Sequence, residues 1–129
     1  MTAAFAPGFY TTSADAASVS GDWRLAGWTP KVLRLPDELG AHARREVLLE
    51  LGRALGAADP VLNTGALDAA LGRLEPQTVV VWARGAAFAD EHAAVWSSLA
   101  DVFVARARRA PAFAVVLAGA DKKSKERDR

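Results

Sequence analysis

The sequence predicts a small α/β domain with a three-stranded parallel sheet and helices packed on it. Three short runs rich in apolar and β-branched residues are separated by long segments whose apolar residues recur every three or four positions. Parallel strands need long crossover connections, which usually contain a helix, whereas tight turns join antiparallel strands. The long helical connections therefore indicate a parallel sheet. The chain has 129 residues, of which 51% are hydrophobic and 24% charged. This length and composition fit one globular domain.

The first predicted strand is the alternating run from Lys31 to Leu35, which Pro36 closes. A helix is expected to follow, with Asp37 as its N-cap and Gly56 as its C-terminal glycine cap. Its inner stripe is predicted to consist of Leu39, Ala43, Val47, Leu48, Leu51 and Leu55.

The second predicted helix is short and follows a loop that carries Asp59 and Pro60. Either Asn63 or Thr64 can cap its start, and Pro76 is expected to end it. The residues expected to face inward are Leu67, Ala70, Leu71 and Leu74.

The other two predicted strands are more apolar than the first. Thr78 to Trp82 is a continuous run dominated by valine, which is typical of a strand buried on both faces. Phe113 to Leu117 is the closing strand, and Gly119 follows it.

A third helix is predicted between these two strands, with Asp90 as its N-cap. Arginines are expected in its last turn, where cations oppose the negative end of the helix dipole; they are Arg106, Arg108 and Arg109. The inner stripe is expected to include Val95, Trp96, Leu99, Val102 and Phe103, with Ala107 as a further candidate.

Both ends of the chain are predicted to be peripheral. Residues 1–29 form an N-terminal extension without sustained periodicity, residues 30–119 form the domain, and residues 120–129 form a disordered charged tail. The aromatic residues Trp23 and Trp28 are expected to pack on the domain, with exposed interface anchors as the alternative.

Composition excludes several classes of site. The chain has no cysteine, which rules out disulfides, thiolate zinc sites and cysteine nucleophiles. No apolar run approaches the roughly 20 residues of a membrane span, and no basic segment precedes Asp15, so we expect a cytoplasmic protein without a membrane partner.

The tail from Asp121 to Arg129 carries five basic and three acidic residues, which leaves a balance of −1 for the rest of the chain. Direct nucleic-acid binding is therefore not the preferred interpretation, although the tail and the last-turn arginines keep it open.

Catalytic motifs are not apparent in the sequence. No phosphate-binding glycine loop or nucleophile elbow occurs. His42 and Glu46 have a spacing that can hold a metal, and Asp90 with Glu91 can form a carboxylate pair. A solvent-facing pair and helix capping explain these residues more simply. We predict no enzyme, no metal and no cofactor.

Several motifs follow one another between Lys31 and Gly119: Asn63-x-x-Ala66-Leu67-x-x-x-Leu71, Val79-Val80-Val81-Trp82, Leu99-x-x-Val102-Phe103, and Phe113-Ala114-Val115-Val116-Leu117. In the order and spacing of these motifs the chain resembles the barstar-like family of ribonuclease inhibitors. The resemblance implies a barstar-like fold and a cytoplasmic inhibitor that binds a secreted microbial ribonuclease one to one and occludes its active site. The second helix and the loop before it would contact the enzyme.

The chain departs from the acidic pattern that the resemblance implies. The two usual helix aspartates fall at Gly65 and Ala69, and the supporting glutamate falls at Ala105. A shifted register makes Asp68 one of the acids. An immunity or interaction module for a toxin that is not a ribonuclease, or for another protein, is the alternative function. The partner-binding residues that the resemblance implies are Asp59, Val61, Leu62, Asn63, Thr64, Gly65, Asp68, Ala69 and Arg73.

Overall fold

The computed structural model describes residues 6–35, 42–109 and 111–119. A parallel sheet forms the centre of the fold, with strand order β1-β4-β3-β2. The elements in these residues are, in chain order, β1 (Gly8–Asp15), α1 (Ala16–Leu25), β2 (Thr29–Leu33), α2 (Ala43–Leu55), α3 (Thr64–Gly72), β3 (Thr78–Trp82), α4 (Gly85–Glu91), α5 (Ala93–Ala107) and β4 (Phe113–Gly119).

The parallel α/β class is confirmed, but the three-stranded sheet is wrong because the sheet has four strands. The fourth strand is β1, which lies in the segment predicted as an extension and pairs with β4, Phe9 opposite Val115 and Tyr10 opposite Val116. Asp15 ends this strand and caps α1, its side chain accepting a hydrogen bond of 2.9 Å from the Ser18 N–H. The sequence hides β1 because most of its residues are polar or small.

Helices cover both faces of the sheet. The connection from β1 to β2 runs from one edge of the sheet to the other, whereas β3 and β4 follow β2 in the opposite direction. A right-handed crossover places its helix on one face when the chain moves one way and on the other face when it moves back. Accordingly, α1 packs on one face and α2, α3, α4 and α5 pack on the other.

The larger core lies under the four later helices and is centred on Trp82. The Trp82 side chain is fully buried, with its ring centroid 5.4 Å from that of Trp96 and 4.9 Å from that of Phe88. Under α1, Trp23 and Trp28 meet edge to face at 4.9 Å and are 5% and 4% exposed. The prediction that these two tryptophans pack on the domain is confirmed, and the interface-anchor alternative is wrong.

Two aspartates, Asp37 and Asp90, are predicted from the sequence to be helix N-caps. The helix α2 ends as predicted, with Gly56 in the left-handed region at φ 76°, but Asp37 and Leu39 lie outside the described residues. Asp90 is not an N-cap. Arg84, at φ 57°, turns the chain from β3 directly into α4, so that Asp90 lies inside α4 and α5 begins only after His92.

Strand boundaries also shift slightly. β2 spans Thr29–Leu33, so it begins and ends two residues earlier than predicted. β4 continues beyond the predicted strand to Gly119. The predicted tail, residues 120–129, lies outside the described residues. Among the described helices, none is long and apolar enough to cross a membrane.

The close approach of β1 to β4 gives a test of the fourth strand. A methyl group at Gly119 would overlap the backbone carbonyl of Ser13. We expect Gly119→Ala to lower the free energy of unfolding by about 1–3 kcal/mol, because the two strands must separate there. Gly21→Ala is the control: no atom lies within 4 Å of its added Cβ, and alanine favours helix α1 by about 0.5–1 kcal/mol. Urea unfolding measures both, and equal stability of Gly119→Ala and the parent would contradict the pairing.

Candidate functional site

The loop between α2 and α3 is anchored by one apolar side chain. Val61 is 2% exposed and packs against α2 at Gly52, where an added Cβ would lie 2.9 Å from the Val61 Cγ2 atom. Gly52 therefore provides the space that Val61 fills. Val61 belongs to the core and not to the surface at which the resemblance placed it. Its neighbours Leu62 and Asp59 are exposed, with Leu62 at 49%.

The start of α3 is fixed by Asn63, the first of the two predicted caps. Its side-chain oxygen accepts a hydrogen bond of 2.7 Å from the Ala66 N–H, and Thr64 is the first residue of the helix. Leu67 and Leu71 are fully buried and attach the helix to the core.

The outward face of α3 carries small side chains. Gly65, Ala69 and Gly72 are exposed on it, and Arg73 follows as the exposed C-cap residue. Thus the two positions at which the resemblance expects aspartates do face outward, but this face bears no carboxylate at either of them.

Asp68 has an ion-pair partner within the chain. Its Oδ1 atom lies 3.3 Å from the Nη2 atom of Arg109, and both side chains are 49% exposed. An exposed pair of this kind contributes at most about 1 kcal/mol to stability. Its effect on the surface is larger than its effect on the fold, because Arg109 offsets the carboxylate that the shifted register offered as an acid for a partner.

A buried arginine positions α3 against the end of α5. Arg106 is fully buried, and its Nε–H donates to the Leu71 carbonyl at 3.0 Å. Its Nη1 donates to the carbonyls of Arg109 at 3.0 Å and Pro111 at 2.8 Å. The guanidinium carbon also lies 5.1 Å from the centre of the Phe113 ring, at cation–π distance.

The charge of Arg106 has little compensation. Burial lowers the pKa of Arg106, the like charge of Arg109 lowers it further, and Asp68 acts in the opposite direction. An arginine keeps its proton despite such a shift. Within the described part of the chain its Nη2 atom has no hydrogen-bond partner. The three carbonyl oxygens are thus its main electrostatic support.

Cationic side chains border the loop at Leu62, and sequence reasoning did not predict them as part of the site. A shallow depression of about 510 Å³ is lined by Leu62 together with His42, Arg44 and Arg45 from the start of α2. All four residues are exposed. A run of basic residues before an apolar stripe is usually only a solvated helix face, so the sequence offered no signal that these residues adjoin the loop.

The metal and acid–base readings, which the sequence left as alternatives, gain no support from the geometry of the described residues. Among residues 6–35, 42–109 and 111–119, no group of three histidine or acidic side chains could hold a metal ion. His42 lies on the rim of the depression, whereas Asp90 and Glu91 are exposed at the end of α4.

Replacement of Arg106 tests its role in holding α3. Arg106→Met removes a buried guanidinium, so that the part-buried carbonyls of Arg109 and Pro111 lose a donor. The Leu71 carbonyl keeps only the Leu74 N–H at 3.3 Å. We expect a loss of about 2–4 kcal/mol in the free energy of unfolding. Arg108→Met, an exposed change in the same turn, is the control and is expected to stay within about 0.5 kcal/mol of the parent. Urea unfolding of the two variants measures both losses of stability. Equal losses would contradict the role of Arg106 in holding α3.

Comparisons of the chain with protein-family models, with curated proteins and with solved structures found no match.

Proposed function

We propose that this chain is a non-enzymatic protein-binding module. Its contact surface, here the loop–α3 surface, consists of Asp59, Leu62, Asn63, Gly65 and Ala69. The observation that carries the proposal is the half-exposed Leu62 at the rim of a cationic depression, beside a helix face of small side chains. An apolar centre within a polar rim is the usual anatomy of a protein interface.

The rigidity of this surface supports the proposal. Val61 and Leu67 are buried on either side of the loop's end, and the Asn63 cap fixes the backbone between them. A surface that is ordered before binding loses little conformational entropy on association, which favours affinity. Arg106 adds a further restraint at the other end of α3.

The charge around the surface indicates the kind of partner. His42, Arg44 and Arg45 border Leu62, and Arg109 offsets Asp68. An acidic protein face complements this arrangement and would be steered toward it. Asp59 remains as the exposed acid of the loop.

The more specific form of the proposal is inhibition of a secreted microbial ribonuclease, bound one to one with its active site occluded. The resemblance from Lys31 to Gly119 supports it, as does the outward position of Gly65 and Ala69 on α3. A target whose contact face is acidic fits this chain best, since the expected acids are missing.

An immunity or interaction module for another toxin or protein is the second candidate. The observation that favours it is the ion pair between Asp68 and Arg109, because an inhibitor that meets the cations of a ribonuclease site would need that carboxylate. Both candidates use the same loop–α3 surface and differ only in the partner.

Inhibition assays test the ribonuclease form. We expect the protein to suppress RNA cleavage by a secreted ribonuclease of its source organism at one-to-one stoichiometry, and Leu62→Glu to weaken binding about tenfold or more. Leu25→Glu is the matched control, because Leu25 is 89% exposed at the end of α1, on the opposite face of the sheet. Unchanged RNA cleavage at excess protein would reject the ribonuclease as the target. Equal effects of Leu62→Glu and Leu25→Glu on binding would reject the loop–α3 surface as the contact surface.

Two charge-changing variants distinguish the cationic rim beside Leu62, formed by Arg44 and Arg45, from the acid Asp68 on α3. We expect Arg45→Glu to weaken binding of the partner by about tenfold and Asp68→Asn to change it less than about threefold, because Arg109 already offsets Asp68. Isothermal titration at two salt concentrations measures both, and the Arg45 effect should shrink at high salt. A larger loss for Asp68→Asn would show that the acid, and not the cationic rim, meets the partner.

A further inference from the structure

The loop before α3 is attached to α2 at a glycine. Val61 is buried in this loop, whereas its neighbours Pro60 and Leu62 are exposed. A Cβ atom built on Gly52 would lie 2.9 Å from the Val61 Cγ2 atom, 3.2 Å from its Cβ and 3.5 Å from its backbone nitrogen. Because these three nearest atoms all belong to Val61, the place of this one residue depends on the missing side chain at position 52.

The local structure of α2 does not itself require a glycine at position 52. Gly52 lies inside the helix and is not among the glycines with positive φ, so its backbone conformation suits any residue. Alanine is the better helix former at such a position, since glycine loses more backbone entropy on folding. The requirement for glycine therefore comes from the contact with Val61.

A methyl group at position 52 would displace the loop and not the helix. Val61 is the buried residue of its loop, and its β-branched side chain has little freedom to rotate away from the added atom. The helix, in contrast, is held to the core by four buried apolar side chains, those of Val47, Leu48, Leu51 and Leu55.

The displacement would reach the exposed residues that follow Val61. Arg45 lies seven residues before Gly52 and thus on the same face of α2, about two turns away. Leu62 lines the depression together with Arg45, and Asn63 then caps α3. The loop is therefore placed along one face of α2, and release of Val61 would separate Leu62 from the cationic rim and loosen the start of α3.

We infer that Gly52 is a positioning residue of the loop–α3 surface. By leaving room for Val61, it sets the place of Leu62 beside the cationic rim and so the affinity of the surface for its partner. A surface that is already ordered loses less conformational entropy on binding. The inference rests on the function proposed above, because it concerns the same surface, and it assigns a role to a buried residue that no partner touches.

Hydrogen exchange measured by NMR tests the order of the loop without a partner. In Gly52→Ala we expect the Ala66 amide, which donates to the Asn63 side chain at 2.7 Å, to exchange about thirtyfold faster. The Val80 amide in β3 reports global unfolding and should change less than about fivefold, because the better helix former offsets part of the lost burial of Val61.

Gly21→Ala is the matched control for the change of helix propensity. It also replaces a glycine inside a helix by alanine, but no atom lies within 4 Å of its added Cβ. We expect the Ala66 amide of this variant to exchange as in the parent.

A double variant distinguishes positioning from a general loss of stability. Val61→Ala removes the Cγ2 atom that the new methyl group would meet, and the Cβ at 3.2 Å then needs to move by only a few tenths of an ångström. We expect Gly52→Ala with Val61→Ala to bring Ala66 exchange back to within about threefold of the parent. Two independent structural losses would add instead.

Binding to the secreted ribonuclease tests the effect on affinity. We expect Gly52→Ala to weaken binding about tenfold, the double variant to recover most of this loss, and Gly21→Ala to bind as the parent does. Thermal unfolding confirms that each variant is folded.

Three outcomes would overturn the inference. They are unchanged Ala66 exchange in Gly52→Ala, equal acceleration of the Ala66 and Val80 amides, and faster Ala66 exchange with unchanged affinity. The exchange experiment needs no partner, so a ribonuclease that the parent protein does not inhibit would reject the proposed target and leave the role of Gly52 to be decided by exchange. Failure of the exchange test leaves the loop–α3 surface itself to the Leu62→Glu test.

Discussion

The three hydrogen bonds that buried Arg106 donates connect the parts of the fold on which the candidate site depends. They end on Leu71, at the end of α3, and on Arg109 and Pro111, which lead from α5 into β4. Helix ends leave carbonyl groups without intrahelical partners, and burial makes such groups costly unless a donor reaches them. The Arg106 guanidinium reaches one such carbonyl, at Leu71 in the last turn of α3, and two more in the segment that follows α5. The position of α3 relative to the sheet therefore follows from Arg106 together with the two buried leucines of α3.

Charge distinguishes the surroundings of Leu62 from the rest of the chain. Among the described residues, the side chains that line the depression beside Leu62 are His42, Arg44 and Arg45, and the acid on α3 is offset by Arg109. We therefore propose an acidic protein partner for the loop–α3 surface, although the chain as a whole carries a formal net charge of only +1. That proposal rests on the local distribution of charge and not on its sum over the chain.

Local signals predicted the parts of this fold that local chemistry determines. Asn63 begins α3 through its side chain, and Gly56 ends α2 through its left-handed backbone. Both were predictable from the sequence. The strand β1 was not, because its polar residues form a strand only by pairing with β4, about a hundred residues away. Arg106 was also missed. The helix dipole explains all three arginines at the end of α5 equally well, and only the three-residue step from Phe103 distinguishes the one that faces inward.

The most direct test of this account is the hydrogen exchange of the Arg106 side chain, followed by NMR at the Nε–H. Because this proton is buried and donated to the Leu71 carbonyl, it should exchange far more slowly than the Nε–H of exposed Arg108. The backbone amides of α3 should be protected from exchange to a similar extent. Exchange of the Arg106 Nε–H at the rate of Arg108 would contradict the central claim that this guanidinium fixes α3 and, with it, the loop–α3 surface.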